Sequence, residues 1–511
     1  MVTKIILLVL FFGVMVAVGI YSRKAAKDVN GFVLGGRAVG PWLTAFAYGT
    51  SYFSAVVFVG YAGQFGYKFG LASTWIGLGN AIIGSLLAWV VLGRRTRVMS
   101  KHLDTATMPD FFGRRYHSKA IRIVAALIAF VFLIPYTASV YNGLSRLFGM
   151  AFNIPYTVCV LVMAILTGVY VILGGYMATA INDFIQGIIM IVGIIAVIAA
   201  VLNSNGGFME AYKTLSAMES DVPVTQGLHG AFVSFLGPDP ASLLGVVILT
   251  SLGTWGLPQM VQKFYAIKDE KAIKTGTIIS TFFAIVIAGG CYFLGGFARL
   301  NDVADITVDG KIVFDAIIPN MLSKLPDILI GVVVVLVLSA SMSTLSSLVL
   351  TSSSTVTLDL IKGNLVKNMS EKLQLLIMRI FIVVFIVVSV VMAMKPPTFI
   401  AQLMGISWGA LAGAFLAPLL YGLYWKGVTR LGVWAGFIYG VGITVANMFT
   451  KWFSPINAGA FAMLGGLVVV PLVSFITPKL DKGEIDFSFK CYEKQKVVEE
   501  KIALPDDVVQ K

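Results

Sequence analysis

Apolar runs of about twenty residues recur along the chain from end to end, and short segments rich in Lys, Arg, Asn and Gly separate them. That length is what a helix needs to cross the hydrocarbon core of a bilayer. A membrane β-barrel would show short alternating segments instead. The pattern predicts an all-α polytopic membrane protein of about thirteen transmembrane helices. The run at 5–20 has the length of a signal sequence, but its basic residues Arg23, Lys24 and Lys27 follow the apolar stretch, so a retained first helix is expected.

Two of the runs are interrupted. The second, at 41–64, contains AFAYGTSYFSAVVFVGYAG; the seventh, at 240–263, contains ILTSLGTWGLPQMVQKF with Pro258 near its middle. Gly and Pro free backbone groups that lipid cannot satisfy, which is tolerable where those groups face a solute or ion. Interrupted helices at matched places in two halves point to a transporter binding site. Ordinary kinks are the plainer alternative for either one alone. The spacing suits two inverted repeats of five helices. It divides the chain into an N-terminal helix and loop (1–40), a first repeat (41–202), an outer loop (203–239), a second repeat (240–424), two C-terminal helices (425–477) and a tail (478–511).

Composition agrees. Of 511 residues, 58% are hydrophobic and 12% charged, where a soluble domain carries about 25% charged residues. The net charge of +13 does not argue for nucleic acid, because loops on the cytoplasmic side of membrane proteins are rich in Lys and Arg. Placing the N-terminus outside and the C-terminus inside puts roughly three quarters of the basic residues on the inner side, in GRRTRVMSKH, FFGRRYHSK, QKFYAIKDEKAIK, IKGNLVKNMSEK and the tail. Cys159, Cys291, Cys491 and the three histidines are scattered, which suits neither a disulfide framework nor a zinc site. No phosphate-binding glycine loop is present, so an ATP-driven engine is not expected on this chain. The expected surroundings are a lipid bilayer, with no obligate protein partner evident.

Five segments occur together, in order: FVLGGRAVGP (32–41), GTSYFSA (49–55), GGYMATAINDFIQG (174–187), GLPQM (256–260) and SMSTLSS (341–347). By them the chain resembles the sodium–solute symporter family, which includes bacterial sodium/proline and sodium/pantothenate symporters. The resemblance implies a leucine-transporter-like five-plus-five fold, Na+ as coupling ion and a bacterial-type cytoplasmic membrane. It also implies a Na+ site made by the carbonyls of Thr50, Phe53 and Ala340 and the hydroxyls of Ser343 and Thr344. The spacing permits this, since Ala340, Ser343 and Thr344 at i, i+3 and i+4 share a helix face. Oxygen ligands without a carboxylate suit one hard monovalent cation. Helix packing is the plainer use of these hydroxyls. Twelve of the residues from Ser339 to Thr357 are Ser or Thr, an excess that the ion face alone does not exhaust. Asp183 stands where the family has an Asp on the ion's exit path; a helix cap is its plainer reading.

The resemblance further implies a solute pocket near Tyr52, Ala55, Tyr136, Thr254 and Trp255. Tyr52 departs from the proline branch, which has Asp there, and Thr254 stands where that pocket has an aromatic. SYFSA, YKFGL (67–71) and MKPPTFI (394–400) look more like the pantothenate branch. The expectation is a Na+-coupled symporter importing a small organic solute, a monocarboxylate such as pantothenate, with proline or another amino acid as the alternative. A transporter-like sensor or a membrane enzyme is the contrasting class, and the short tail offers neither a signalling domain nor a catalytic cluster.

Overall fold

The protein is described here by a computed structural model covering residues 2–301, 306–308, 310–362, 364–366 and 368–503; residues 504–511 of the expected tail lie outside it. Ten described helices are long and apolar enough to cross a membrane, or eleven if the bent pair Pro240–Gly256 and Pro258–Ala266 is one span. Their outer faces carry a belt of exposed large hydrophobics, including Val9, Ile165, Phe282, Val391 and Ile438, each more than half exposed. In water such a belt drives aggregation; in a bilayer it meets acyl chains. The chain is an integral membrane protein.

The count differs from the expected thirteen in part because two helical stretches exceed what a bilayer needs. Val56–His102 has 47 residues and Tyr156–Ser204 has 49. A straight helix of that length reaches about 70 Å, against a hydrocarbon core of about 30 Å. Each is interrupted by a left-handed glycine, Gly70 at φ +60° and Gly175 at φ +55°. The apolar runs at 153–173 and 181–202 leave 174–180 between them, but helix resumes at once after Gly175, which packs under Phe32. Asp183 is therefore two turns inside a helix and is not a cap.

A further expectation is corrected. The basic segment QKFYAIKDEKAIK is not one loop: helix continues to Ala266, and Lys263 is buried at 2% exposure. The tail, expected only as polar and short, carries a helix. Helix Lys482–Ala503 docks on the basic face through Glu484 to Arg430 (3.1 Å), Asp486 to Lys426 (3.1 Å) and the Tyr492 hydroxyl donating to the Arg95 carbonyl (3.0 Å).

Helix starts on that face are fixed by side-chain caps. Asp28, Ser118, Asp269, Ser370 and Thr429 each accept a backbone N–H three residues on. At the centre lies helix Asp327–Thr355, buried along most of its length. It packs against Lys119–Phe152, both halves of Tyr156–Ser204, and Pro41–Tyr52.

The Gly70 break makes a testable demand. A Cβ there would sit 2.1 Å from the Phe232 carbonyl oxygen, whereas Gly36, at φ +68°, has open space around it. Gly70→Ala is expected to destabilise the protein in detergent by about 1–3 kcal/mol beyond Gly36→Ala. Equal thermal unfolding of the two variants contradicts this account of the turn.

Candidate functional site

The first interrupted helix, Pro41–Tyr52, stops at Phe53, whose backbone is extended (φ −95°, ψ 96°), and helical turns resume at Val56. A helix end leaves its last carbonyls without intrahelical partners. Thr50 is one of these. Its carbonyl accepts the hydroxyls of Ser343 (3.0 Å) and Thr344 (3.1 Å) from helix Asp327–Thr355. The same two hydroxyls also lie at 3.0 and 3.1 Å from the Ala340 carbonyl. Thr50, Ala340, Ser343 and Thr344 thus converge on one point. Phe53 borders a small, mostly apolar cavity with Ala340, and no hydrogen bond to its carbonyl ties it to the cluster among the described residues. The donor set is neutral oxygen, and the residues are fully buried or nearly so. Rotating the hydroxyl hydrogens outward turns lone pairs and carbonyls onto a common centre, the chemistry a hard cation such as Na+ requires.

The second interrupted helix breaks at Leu257 with a 46° bend, and Pro258 starts its second half. The two broken helices touch: the Tyr52 hydroxyl donates to the Thr250 carbonyl. Tyr52 stacks on Trp408 (5.5 Å, 28°), and Tyr136 meets the same indole edge-on (5.8 Å, 77°). Ala55 lies against Gly143 of helix Lys119–Phe152. Thr254 and Trp255 take another direction, donating to the carbonyls of Gly84 and Ile83, both at 2.9 Å. The structure therefore joins Tyr52 and Tyr136 through Trp408, and sets Thr254 and Trp255 against the neighbouring span. Near the break, Gln259 is fully buried, and its side-chain amide has no hydrogen-bond partner among the described residues.

Towards the basic face the path from the oxygen cluster is closed by successive polar layers. The Ser51 and Ser347 hydroxyls are 2.7 Å apart, and Lys263 Nζ donates to Ser347 at 3.0 Å. Asp183 Oδ2 lies 3.8 Å from that ammonium. One turn on, Thr351 donates to Gln262 Oε1 (2.7 Å), and Gln262 Nε2 donates to the Val33 carbonyl (3.0 Å). Last come Asp359 with Thr107 (2.6 Å) and Arg122 (2.8 Å), and Arg37 on the Thr105 carbonyl (2.6 Å). Seven of the twelve hydroxyls fall into three groups, and Ser339, Ser341, Ser352, Thr355 and Thr357 are buried with no hydrogen-bond partner among the described residues. Ser343 and Thr344 face the broken helix, Ser347 and Thr351 belong to the closing layers, and Ser346, Ser353 and Ser354 bond back to their own helix. On the opposite face a cavity of about 450 Å³ is open, lined by Gln64, Phe65, Lys68, Asp239, Arg299 and Gln402 among others.

Sequence reasoning missed Trp408 and Lys263. Trp408 stands out only as one indole among small residues, in GISWGALAG. Lys263 lies between Met260, Val261, Phe264 and Tyr265, all buried; that apolar flank distinguishes it from the loop residue Lys268.

Two broken helices meeting across a buried, hydroxyl-bearing partner helix are the arrangement of an ion-coupled membrane transporter. The sodium:solute symporter family model matches residues 32–440. The chain belongs to that family: it is a Na+-coupled solute symporter, not an enzyme, with Na+ as coupling ion. It is 29% identical to sodium/proline symporter 2 of Staphylococcus saprophyticus, over 93% of each chain. It is 30% identical to the sodium/proline symporter of Staphylococcus aureus, over 93% of this chain and 92% of that one. Among solved structures, a substrate-bound outward-open Na+-coupled sialic acid symporter aligns with TM-score 0.75 at 17% identity, covering 94% of this chain and 98% of that one. A nucleobase-cation-symport-1 family transporter in a closed conformation aligns with TM-score 0.53 at 13% identity, over 89% and 97%. These likenesses concern the fold. The pantothenate expectation gains no support from these relatives; the proline alternative is nearer.

Tyr52 is one direct tie between the two broken helices, alongside Tyr48, whose ring meets Phe264. Tyr52→Phe keeps the ring on Trp408 and removes the hydroxyl, so it is expected to cost about 0.5–1.5 kcal/mol of stability. Thermal unfolding with and without Na+ checks this. Unchanged stability shows that the tie contributes nothing.

Proposed function

We propose that the chain is a Na+-driven importer of a small amino acid, L-proline first among candidates, working by alternating access. The observation that carries this reading is the Thr50 carbonyl, freed by the helix break and shared by Ser343 and Thr344. Na+ is cargo here. It sits among the carbonyls of Thr50, Phe53 and Ala340 and the hydroxyls of Ser343 and Thr344, drawing the first broken helix onto helix Asp327–Thr355. The solute lies against Tyr52, Tyr136 and Trp408, with Ala55 beside them; Thr254 and Trp255, turned to Gly84 and Ile83, support the wall from behind. No Lys or Arg lies at either break. A solute carboxylate is held by freed backbone N–H groups and the half-helix N-terminus at Pro258. Asp183 takes the ion on its way out.

Counting Gly70 and Gly175 as turns between spans, and the bent pair Pro240–Gly256 and Pro258–Ala266 as one span, gives the thirteen-helix arrangement. One helix comes first, repeats of five helices occupy 41–202 and 240–424, and two helices follow. The excess of basic residues on the face carrying Arg37, Arg115 and Arg122 makes that face cytoplasmic, with the N-terminus outside. The cavity on the other face then opens outward, in a bacterial-type cytoplasmic membrane. Support for an amino acid comes from the sodium/proline symporters that match over most of the chain. Tyr52 and Thr254 keep pantothenate as the second reading.

Ser343→Ala combined with Thr344→Ala is expected to lower Na+-stimulated uptake in membrane vesicles at least about tenfold, through loss of ion–solute coupling. Unchanged Na+ dependence overturns the ion site. In a thermal-shift comparison, L-proline is expected to stabilise the wild-type protein more in Na+ than in choline. Na+-dependent stabilisation by pantothenate and not by L-proline reverses the choice of solute.

A further inference from the structure

The layer next to the oxygen cluster contains a buried cation of the protein's own. Lys263, on the second half of the second broken helix, reaches across to helix Asp327–Thr355. Its ammonium is held by Ser347 at 3.0 Å, and Ser347 is tied to Ser51 of the first broken helix at 2.7 Å. The ring of Tyr176 lies 5.1 Å away and offers a π face to the charge. Asp183 is fully buried, and neither of its carboxylate oxygens has a hydrogen-bond partner among the described residues. Its nearest cation is Lys263, at 3.8 Å. A carboxylate inside a membrane protein is costly unless paired, and here the pairing is electrostatic, without a hydrogen bond. The arrangement is a carboxylate with free lone pairs, screened by a cation on a flexible tether that is itself held by Ser347, one helix turn from Ser343.

We propose that the Lys263 ammonium is a tethered cation that stands in for Na+ beside Asp183 while the inner path is closed, so that Na+ release and the Lys263–Asp183 pairing exclude each other. The proposal rests on the symporter reading given above and adds a role to it. Two positive charges compete for one carboxylate. With the ammonium in place, an ion leaving Ser343 and Thr344 meets repulsion at the next turn. When the broken helices move away from helix Asp327–Thr355, the Ser51 and Lys263 contacts to Ser347 part, the ammonium withdraws, and Asp183 becomes free to receive Na+. Release is then tied to the opening that also frees the solute, and uncoupled passage of Na+ is suppressed. Lys263 is a positioning residue here: it acts through Asp183 and touches no solute.

Efflux of radioactive Na+ from proteoliposomes without solute tests this directly, because it needs no knowledge of the solute. Lys263→Gln is expected to raise solute-independent Na+ efflux about tenfold by removing a like charge from the path. Lys263→Arg keeps the charge and is expected to stay near wild type. Asp183→Asn combined with Lys263→Gln is expected not to leak, since the attracting carboxylate is gone too. Ser347→Ala keeps both charges, loosens the ammonium and is expected to leak to an intermediate degree. It carries the test if Lys263→Gln does not fold. Wild-type efflux in Lys263→Gln, or in Ser347→Ala where the former does not fold, overturns the proposal, as do equal effects of Gln and Arg at 263. Thermal stabilisation by Na+, measured on the same preparations, separates the two levels. If Na+ does not stabilise even the wild type, the ion reading has failed. If it does, and the charge variants still behave alike, only the tethered-cation role has failed.

Discussion

Inside a bilayer every backbone polar group needs a partner from the protein, because lipid supplies none. A helix that breaks there must hand its freed carbonyls to something. In this chain the break after Tyr52 hands the Thr50 carbonyl to two hydroxyls of another helix. Much of the arrangement follows from that transfer. The hydroxyls must be small, buried and on one face, hence Ser343 and Thr344 one turn beyond Ala340. The helix bearing them must lie centrally, hence the burial of Asp327–Thr355 among its neighbours. A packing role for these hydroxyls and the proposed ion-binding role are not alternatives: the contacts that satisfy the carbonyl without an ion are the ones the proposed ion would replace.

One helix serves several purposes along a single polar stripe. Its middle faces the first break, and the next two turns meet Lys263 and Gln262 on the second broken helix. Its end carries Asp359, locked to Thr107 and Arg122. Movement of either broken helix therefore disturbs the stripe at more than one level. The same coupling can make ion and solute mutually dependent: an ion that fixes the first break also fixes Tyr52, which ties to Thr250 and stacks on Trp408. Linkage requires that such dependence be reciprocal.

The membrane class, the breaks and the small-residue motifs were legible in the sequence because lipid restricts the backbone to so few solutions. The hydroxyl face was legible because i, i+3 and i+4 spacing survives from sequence to structure. What failed to show was direction after a break. Thr254 and Trp255 sit beside the bend at Leu257, and the bend turns them towards Ile83 and Gly84 instead of the Tyr52 ring. Lys263 looked like a loop residue because a charge near a helix end reads the same whether the last turn is wet or buried. Trp408 carried no signal of its own, since its importance lies in two tyrosines from distant spans. The turn at Gly175 itself was not visible in the apolar spacing, because one left-handed glycine turns the chain without any loop.

The most direct test of the account is a pair of binding measurements on the purified wild-type protein. The Kd of L-proline is measured with and without Na+, and the Kd of Na+ with and without L-proline. The account predicts that each strengthens the other by the same factor, because both act on the one closure between the broken helices and the hydroxyl-bearing helix. L-proline binding that ignores Na+, with Na+ binding that ignores L-proline, would contradict it.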